Sequence, residues 1–365
     1  MKPNGFDYDN IRVTTNNLEL SNIDDIVTKC RGKKIAVFLG AGFSKAWDAK
    51  YPLSNDIFSI SESDAVKERK NYKFFDLFDS LSLKWASDTA NINEKVSVFK
   101  LFKYTMDIYK RYPSLLPSHL DKYTLNEFED EIKKYIKTKF YKKVGKAEAK
   151  LILPKKIAKN KSDIISLFKL LSKISRLGVI TTNYDIVIDK ILHEITAEQC
   201  LLRGHIVKMN GSIKCPNPNA LSLFKINGGF EVVEYKDNFK IDYDSVSNNL
   251  ISPNIILPSN EQIYDDKYFK TVFVKSSNFL RNAEVMLFIG YSFPKEDHII
   301  RFLLKSFIDS DDADKETIII GRNKKSAENM HSSACDVFKE LNDKSGLFYF
   351  GGAFEELCSQ SKKLA

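Results

Sequence analysis

The run Lys34-Ile35-Ala36-Val37-Phe38-Leu39, closed at once by Gly40-Ala41-Gly42, constrains this chain more than any other feature. A short apolar run with almost no polar interruption reads as a strand buried on both faces, which a parallel sheet covered by helices on each side supplies. The signature recurs at 177–181, 205–209, 285–289, 317–320 and 347–350. Between most of these runs the apolar period changes to that of a helix, as in Asp185–Leu192 and in Glu296–Ile308, where Ile299, Ile300, Leu303, Leu304 and Phe307 share one face. Strands alternating with helices predict an α/β fold, a doubly wound, Rossmann-like parallel sheet.

The stretch between the first two runs is too long for an ordinary crossover and shows helical patterning at 73–83, 93–109, 125–140 and 162–174. It predicts a large helical insertion over 61–174, with Pro113 and Pro117 separating helices and 145–161 resembling a linker. The core is then 31–60 with 175–365, preceded by an N-terminal segment, 1–30. A small β element is expected at 221–235, with Asn227-Gly228-Gly229 supplying the positive φ of a hairpin turn.

Several classes of function are disfavoured. No apolar run approaches the length of a membrane span, and residues 1–22 lack the apolar centre of a secretory signal. The expectation is a soluble cytoplasmic protein. The five cysteines form no C-x-x-C pair and the five histidines no metal-ligand spacing, so no metal site is expected. The net charge of +8 is concentrated: residues 131–161 hold twelve lysines, at positions 133 to 161, against Glu131 and Glu148. That stretch reads either as a solvated helical face or as a docking surface for nucleic acid or an acidic protein.

Two constellations carry chemistry. Gly40-x-Gly42 directly after a buried strand permits a sharp turn and close approach to a pyrophosphate, although Lys45 stands where G-x-G-x-x-G needs its last glycine, and no P-loop pattern is present. By itself the pattern fits a dinucleotide turn and a plain βα turn equally well. Thr181-Thr182-Asn183-Tyr184-Asp185 then places an amide, hydroxyls and a carboxylate at a strand's carboxyl end, where open α/β sheets bind ligands. Thr182 or Asn183 could also cap the following helix.

With these motifs the sequence resembles the sirtuin-like family, in its bacterial defence-associated branch. The resemblance rests on Gly40-Ala41-Gly42-Phe43-Ser44 with Pro52-Leu53, Thr181-Thr182-Asn183-Tyr184-Asp185, Lys208-Met209-Asn210-Gly211-Ser212, Leu257-Pro258, Gly290-Tyr291-Ser292-Phe293-Pro294 with Asp297, and Gly352-Ala353-Phe354, in that order. It leaves the helical insertion unmatched. It implies NAD+ as the substrate, with Gly40, Ala41, Gly42, Phe43, Ser44 and Pro52 about the phosphates and the nicotinamide ribose. Thr182, Asn183 and Asp185 would hold the nicotinamide end, with Asn183 in catalysis. Gly290, Tyr291 and Ser292 would cradle the far phosphate and ribose, and Asn323, after Gly321 and Arg322, would lie near the adenine. The paired cysteines of the zinc ribbon in protein-deacylating sirtuins are missing, which argues against acyl-lysine removal. Family members assemble with copies of themselves or with translocase ATPases or Argonaute-type proteins, so the resemblance implies such partners.

One departure bears on mechanism. Where the family reads His-Gly-Ser, this chain reads Asn210-Gly211-Ser212. A histidine there exchanges a proton with a ribose hydroxyl, contributing on the order of 10²–10⁴ in rate; asparagine can only hydrogen-bond. The expectation is an NAD+ hydrolase effector of anti-phage defence, impaired at Asn210 whether that residue is engineered or natural. The alternative is a non-catalytic subunit that binds NAD+ or ADP-ribose; a weaker reading is an ADP-ribosyl transferase.

Overall fold

The structure is a computed structural model that describes residues 18–118, 120–196, 202–203, 221–235, 238–262, 264, 267–309, 314–343 and 346–364. In chain order the strands are β1 (Glu19–Leu20), β2 (Lys34–Leu39), β3 (Arg176–Thr181), β4 (Leu202–Arg203), β5 (Ser222–Lys225), β6 (Val232–Tyr235), β7 (Asn238–Ile241), β8 (Val285–Ile289), β9 (Glu316–Ile320) and β10 (Leu347–Phe350). Eight of them form one sheet in the order β1-β10-β9-β8-β2-β3-β5-β4, and every neighbouring pair is parallel.

Why these runs make this sheet is visible in their alternation. In β2 the side chains of Ile35, Val37 and Leu39 enter one core, and those of Ala36 and Phe38 enter the other. β8 divides likewise into Val285, Leu287 and Ile289 against Met286 and Phe288. Period-two alternation with both faces apolar requires helices on both sides. Lys159–Ile174 and Phe354–Ser361 contribute to the first core, and Lys267–Arg281, His298–Lys305 and Lys324–Cys335 to the second. The result is a doubly wound α/β/α sandwich. Its strand order runs outward in opposite directions from β2 and β8, so the topological switch point lies between their carboxyl ends.

The expected runs at 34–39, 177–181, 285–289, 317–320 and 347–350 are strands of this sheet; the one at 205–209 lies outside the described residues. The hairpin expectation is corrected. β5 joins β3 in the main sheet, and the two-stranded antiparallel unit pairs β6 with β7 instead. Gly228 does adopt positive φ, +80°, but its turn leads out of β5, and a Cβ there would lie 2.0 Å from Asn254 O.

The long stretch between β2 and β3 is helical, including Phe74–Ser80, Ile92–Arg111 and Lys122–Val144, with Asn91 and Asp121 capping the two long helices through their side chains. Phe74, Phe78, Trp85, Phe102 and Tyr135 pack in a chain of ring contacts, with Trp85 stacked on Phe78 at 3.7 Å. Lys159–Ile174, the last helix of the stretch, packs against Val187–Thr196 and Phe354–Ser361 beside the sheet. Lys137, fully buried, donates to the carbonyls of Ser245, Asn248 and Ile251 at 3.0, 2.8 and 2.7 Å and so ties the long helix to the loop after β7.

Candidate functional site

Two loops meet at the switch point. After β2 the chain turns at Gly40 into the Ala41–Trp47 helix, and after β8 it turns at Gly290, whose φ is +67°. Gly40 N donates to Ile289 O at 3.1 Å and Gly42 N to Gly290 O at 3.0 Å. A Cβ on Gly40 would lie 2.5 Å from Gly290 O, and one on Gly290 would lie 2.3 Å from Phe43 N. The glycines are therefore required for backbone packed on backbone across the crevice. A pyrophosphate approaching the Gly42 amide would exchange its bond to Gly290 O.

The end of β3 is wired into the first loop. Thr181 Oγ1 donates to Leu39 O at 3.0 Å and accepts from Asn183 N at 3.0 Å. Asn183 Nδ2 donates to Gly40 O at 2.9 Å and to Ser44 Oγ at 3.0 Å. Because a backbone carbonyl only accepts, the atom facing Gly40 O must be the amide nitrogen, which fixes the flip of Asn183. Its Oδ1 has no donor among the described residues, and the residue is partly exposed. Ser44 Oγ in turn donates to Asp185 Oδ2 at 2.8 Å, and Asp185 Oδ1 accepts from Val187 N at 3.0 Å.

Below this relay lies a buried ionic hub. Lys225 Nζ donates to the carbonyl oxygens of Asp185 and Tyr184 at 2.7 and 3.3 Å, and pairs with Glu231 at 2.9 Å and Asp189 at 3.3 Å, all three ionic side chains being excluded from solvent. Tyr243 Oη donates to Asp189 Oδ1 at 2.9 Å. Burial pushes the Asp185 carboxyl above its usual range, against the pull of Lys225 and the hydrogen bonds from Val187 N and Ser44. The sequence reading missed Lys225, Asp189 and Glu231; a lysine inside the apolar run Leu223-Phe224-Lys225-Ile226 is the one signal that pointed to a buried cation.

Gly40, Ala41, Gly42, Ser44, Thr182, Asn183 and Asp185 are thus brought together at adjoining strand ends. Ala41, Gly42 and Thr182 are partly exposed beside Asn183, whereas Ser44 and Asp185 are buried. Phe43 packs inward on Phe168 and Phe354 at 5.6 and 6.2 Å, and Pro52 is buried next to Tyr51. Gly290 forms the opposing loop. Tyr291 is buried against Phe38 at 4.8 Å and donates its hydroxyl to Asp297 at 2.9 Å, while Ser292 is exposed. Burial raises the Asp297 carboxyl, partly offset by that hydroxyl. Asn323, exposed at the end of β9, caps the Lys324–Cys335 helix by accepting from Ser326 N at 2.9 Å. Asn210 lies outside the described residues.

Of the lysine-rich stretch, Lys133 pairs with Glu129, Lys137 and Lys139 donate to backbone carbonyls, Lys142 and Lys143 pair with Glu68 and Asp56, and Lys161 pairs with Glu148. Half of the twelve lysines are therefore engaged within the fold. Among the described residues there is no cluster of three or more His, Cys, Asp or Glu able to hold a metal, and no helix is long and apolar enough to cross a membrane.

Residues 177–342 match the family model of the SIR2-like domain, a span that begins in β3 and contains the Thr181–Asp185 and Gly290–Ser292 segments. No curated protein sequence matches the chain. Solved structures similar to it include a sirtuin studied for the structural basis of substrate affinity, at 12% identity and TM-score 0.40, covering 93% of this chain and 97% of that one. A mutant Sir2 homologue in complex with ADP-ribose is also similar, at 12% identity and TM-score 0.37, covering 87% and 98%. The domain match supports a sirtuin-like family and suggests NAD-dependent activity.

Proposed function

We propose that the chain binds NAD+ across the switch point and hydrolyses the bond between nicotinamide and ribose, releasing nicotinamide and ADP-ribose. The observation that carries this reading is the fixed amide of Asn183, whose Nδ2 is held by Gly40 O and Ser44 Oγ and whose Oδ1 has no donor among the described residues. When the glycosidic bond breaks, the electron pair leaves with nicotinamide and positive charge develops at the anomeric carbon; water adds there and loses a proton. A carbonyl dipole held rigidly at that place stabilises the charge or orients the water without reorganising. Thr182 and the exposed Ser292 supply hydroxyls for ribose and phosphate oxygens, with the backbone of Ala41 and Gly42 at the turn between them.

The resemblance to the defence-associated branch supports a role as a cytoplasmic anti-phage effector that depletes NAD+, assembled with its own copies or with a translocase ATPase or Argonaute-like partner. Constitutive hydrolysis would kill the host, so that role requires a resting state. Asn210 favours a second reading, a subunit that binds NAD+ or ADP-ribose without cleaving it, because asparagine there cannot serve as a general base.

Incubating the chain and an Asn210→His variant with NAD+, and following nicotinamide release, separates the two. Release by the histidine variant well above that of the parent supports the hydrolase. If the variant binds NAD+ yet releases no nicotinamide, the binding-subunit reading stands and the hydrolase is wrong.

A further inference from the structure

The helices Ile92–Arg111 and Lys122–Val144 face residues 254–262 across a cleft of about 150 Å³. On the helical wall Lys103 pairs with Asp107, four residues on, and both are buried. Glu129, on the second helix, accepts from Lys110 at 2.5 Å and lies 3.3 Å from Lys133 and 3.7 Å from Lys103. Burial opposes the charge on Glu129, but the surrounding lysines hold its carboxyl well below the usual range. The ammonium groups of Lys103, Lys110 and Lys133 thus gather about Asp107 and Glu129, with Asp130 and Glu234 also acting on Lys133.

The facing wall adds hydrogen-bonding capacity. Asn254 Nδ2 and Ser259 Oγ are buried polar atoms with no close hydrogen-bond partner among the described residues, Ser259 lying beside the Asp107 carboxylate and 9% exposed. Both residues line the cleft, with Ile256 and Phe269 as apolar backing. Leaving such groups unsatisfied costs about 1–3 kcal/mol each, so unused donors beside the ammonium groups of Lys103 and Lys133 are a specific arrangement. A cavity of roughly this size holds a molecule no larger than about a benzene ring.

We propose that this cleft binds a small anion, a carboxylate or phosphate group, with Lys103 and Lys133 supplying the charge and Asn254 Nδ2 and Ser259 Oγ the hydrogen bonds. The site does not rest on NAD+ cleavage, although it is linked to the strand end: Tyr184, next to Asn183, donates its hydroxyl to Ile256 O at 2.5 Å. The anion bridges the helical stretch to the loop that leads back toward the sheet.

The test is a calorimetric titration of the full chain with inorganic phosphate and, separately, with acetate, at ionic strength held constant with chloride. Saturable binding of either supports the site, phosphate alone marking a phosphate ligand and acetate alone a carboxylate. Asn254→Asp places a negative charge against the ligand and should weaken that binding at least about tenfold. Ser259→Ala, which removes only a hydroxyl, should weaken it severalfold and carries the test if the aspartate variant does not fold. Absence of saturable binding for both anions would assign the cleft to water and overturn the proposal, as would unchanged affinity in folded variants.

Discussion

Asn183 Nδ2 donates to the carbonyl oxygen of Gly40 at 2.9 Å, and this bond adds to the ties between the two strand ends beside the nicotinamide-binding surface proposed above. It fixes which end of the amide faces outward. Asn183→Ala removes the outward carbonyl and both donated bonds. Measured in the Asn210→His background, nicotinamide release should fall about a hundredfold in kcat with KM changed less than about threefold, as expected for an interaction made chiefly in the transition state. Equal losses in NAD+ affinity would instead make Asn183 a binding residue.

Gly290 should tolerate no side chain. Its φ of +67° disfavours any L-residue, and a Cβ would collide with Phe43 N and Gly42. Gly290→Ala should therefore cost at least about 2 kcal/mol in urea unfolding. The same exchange at Gly32, also at positive φ but with nothing within 4 Å of a Cβ, should cost less.

Lys225 pairs with both Asp189 and Glu231 in the buried hub, and its loss would leave both carboxylates without that partner. Lys225→Met should destabilise the fold by about 3–5 kcal/mol. Adding Glu231→Gln to that variant should recover part of the loss, which equilibrium unfolding of the single and double variants would show. No recovery would mean that Lys225 acts through packing and its bonds to the Tyr184 and Asp185 carbonyls.

How much of this was legible in the sequence follows from what each residue touches. β2 and β8 declare themselves because every residue of 35–39 and 285–289 faces one of two apolar cores, and the motifs at their ends follow from strand position. β1 has two residues, too few for any period. β5 ends in Lys225, whose charge breaks the apolar reading of a strand; the distant Asp189, the nearby Glu231 and the carbonyls of Tyr184 and Asp185 make its burial tolerable. Inward packing of Phe43 and Tyr291 was equally hidden, since an aromatic beside a glycine turn fits a ligand wall and a core alike. The lysine-rich stretch looks free because its acceptors, among them Asp56, Glu68 and the Ser59 and Ser245 carbonyls, are remote in sequence.

Glu148 should give the fold an acid-sensitive contact. It accepts from Tyr51 Oη, Lys161 and Lys190 at 3.0, 2.9 and 2.5 Å. Burial opposes its charge, but the lysines prevail and hold it down at about 2. A depressed carboxyl stabilises the folded chain above its unfolded value of roughly 4.3 and loses that contribution as pH falls toward 2. Allowing for partial exposure, the contribution is on the order of 1–2 kcal/mol. Glu148→Gln should lower stability at pH 7 and flatten its fall between about pH 5 and pH 2, as followed by thermal unfolding across that range.

The lysine-rich stretch should bind duplex DNA only through the lysines that the fold leaves free. Lys146, Lys150, Lys155, Lys156 and Lys159 are exposed and have no ion-pair partner among the described residues, whereas six others are engaged internally. Each phosphate contact contributes about 0.9 to the fall of log K with log salt concentration. A surface of five such lysines therefore predicts a slope no steeper than about −4.5, and one using all twelve would approach about −11. Fluorescence anisotropy with labelled duplex across a salt series measures that slope. A value near the steeper limit would require the internal pairs with Asp56, Glu68 and Glu148 to open on binding; a flat response would leave the whole stretch as a solvated face.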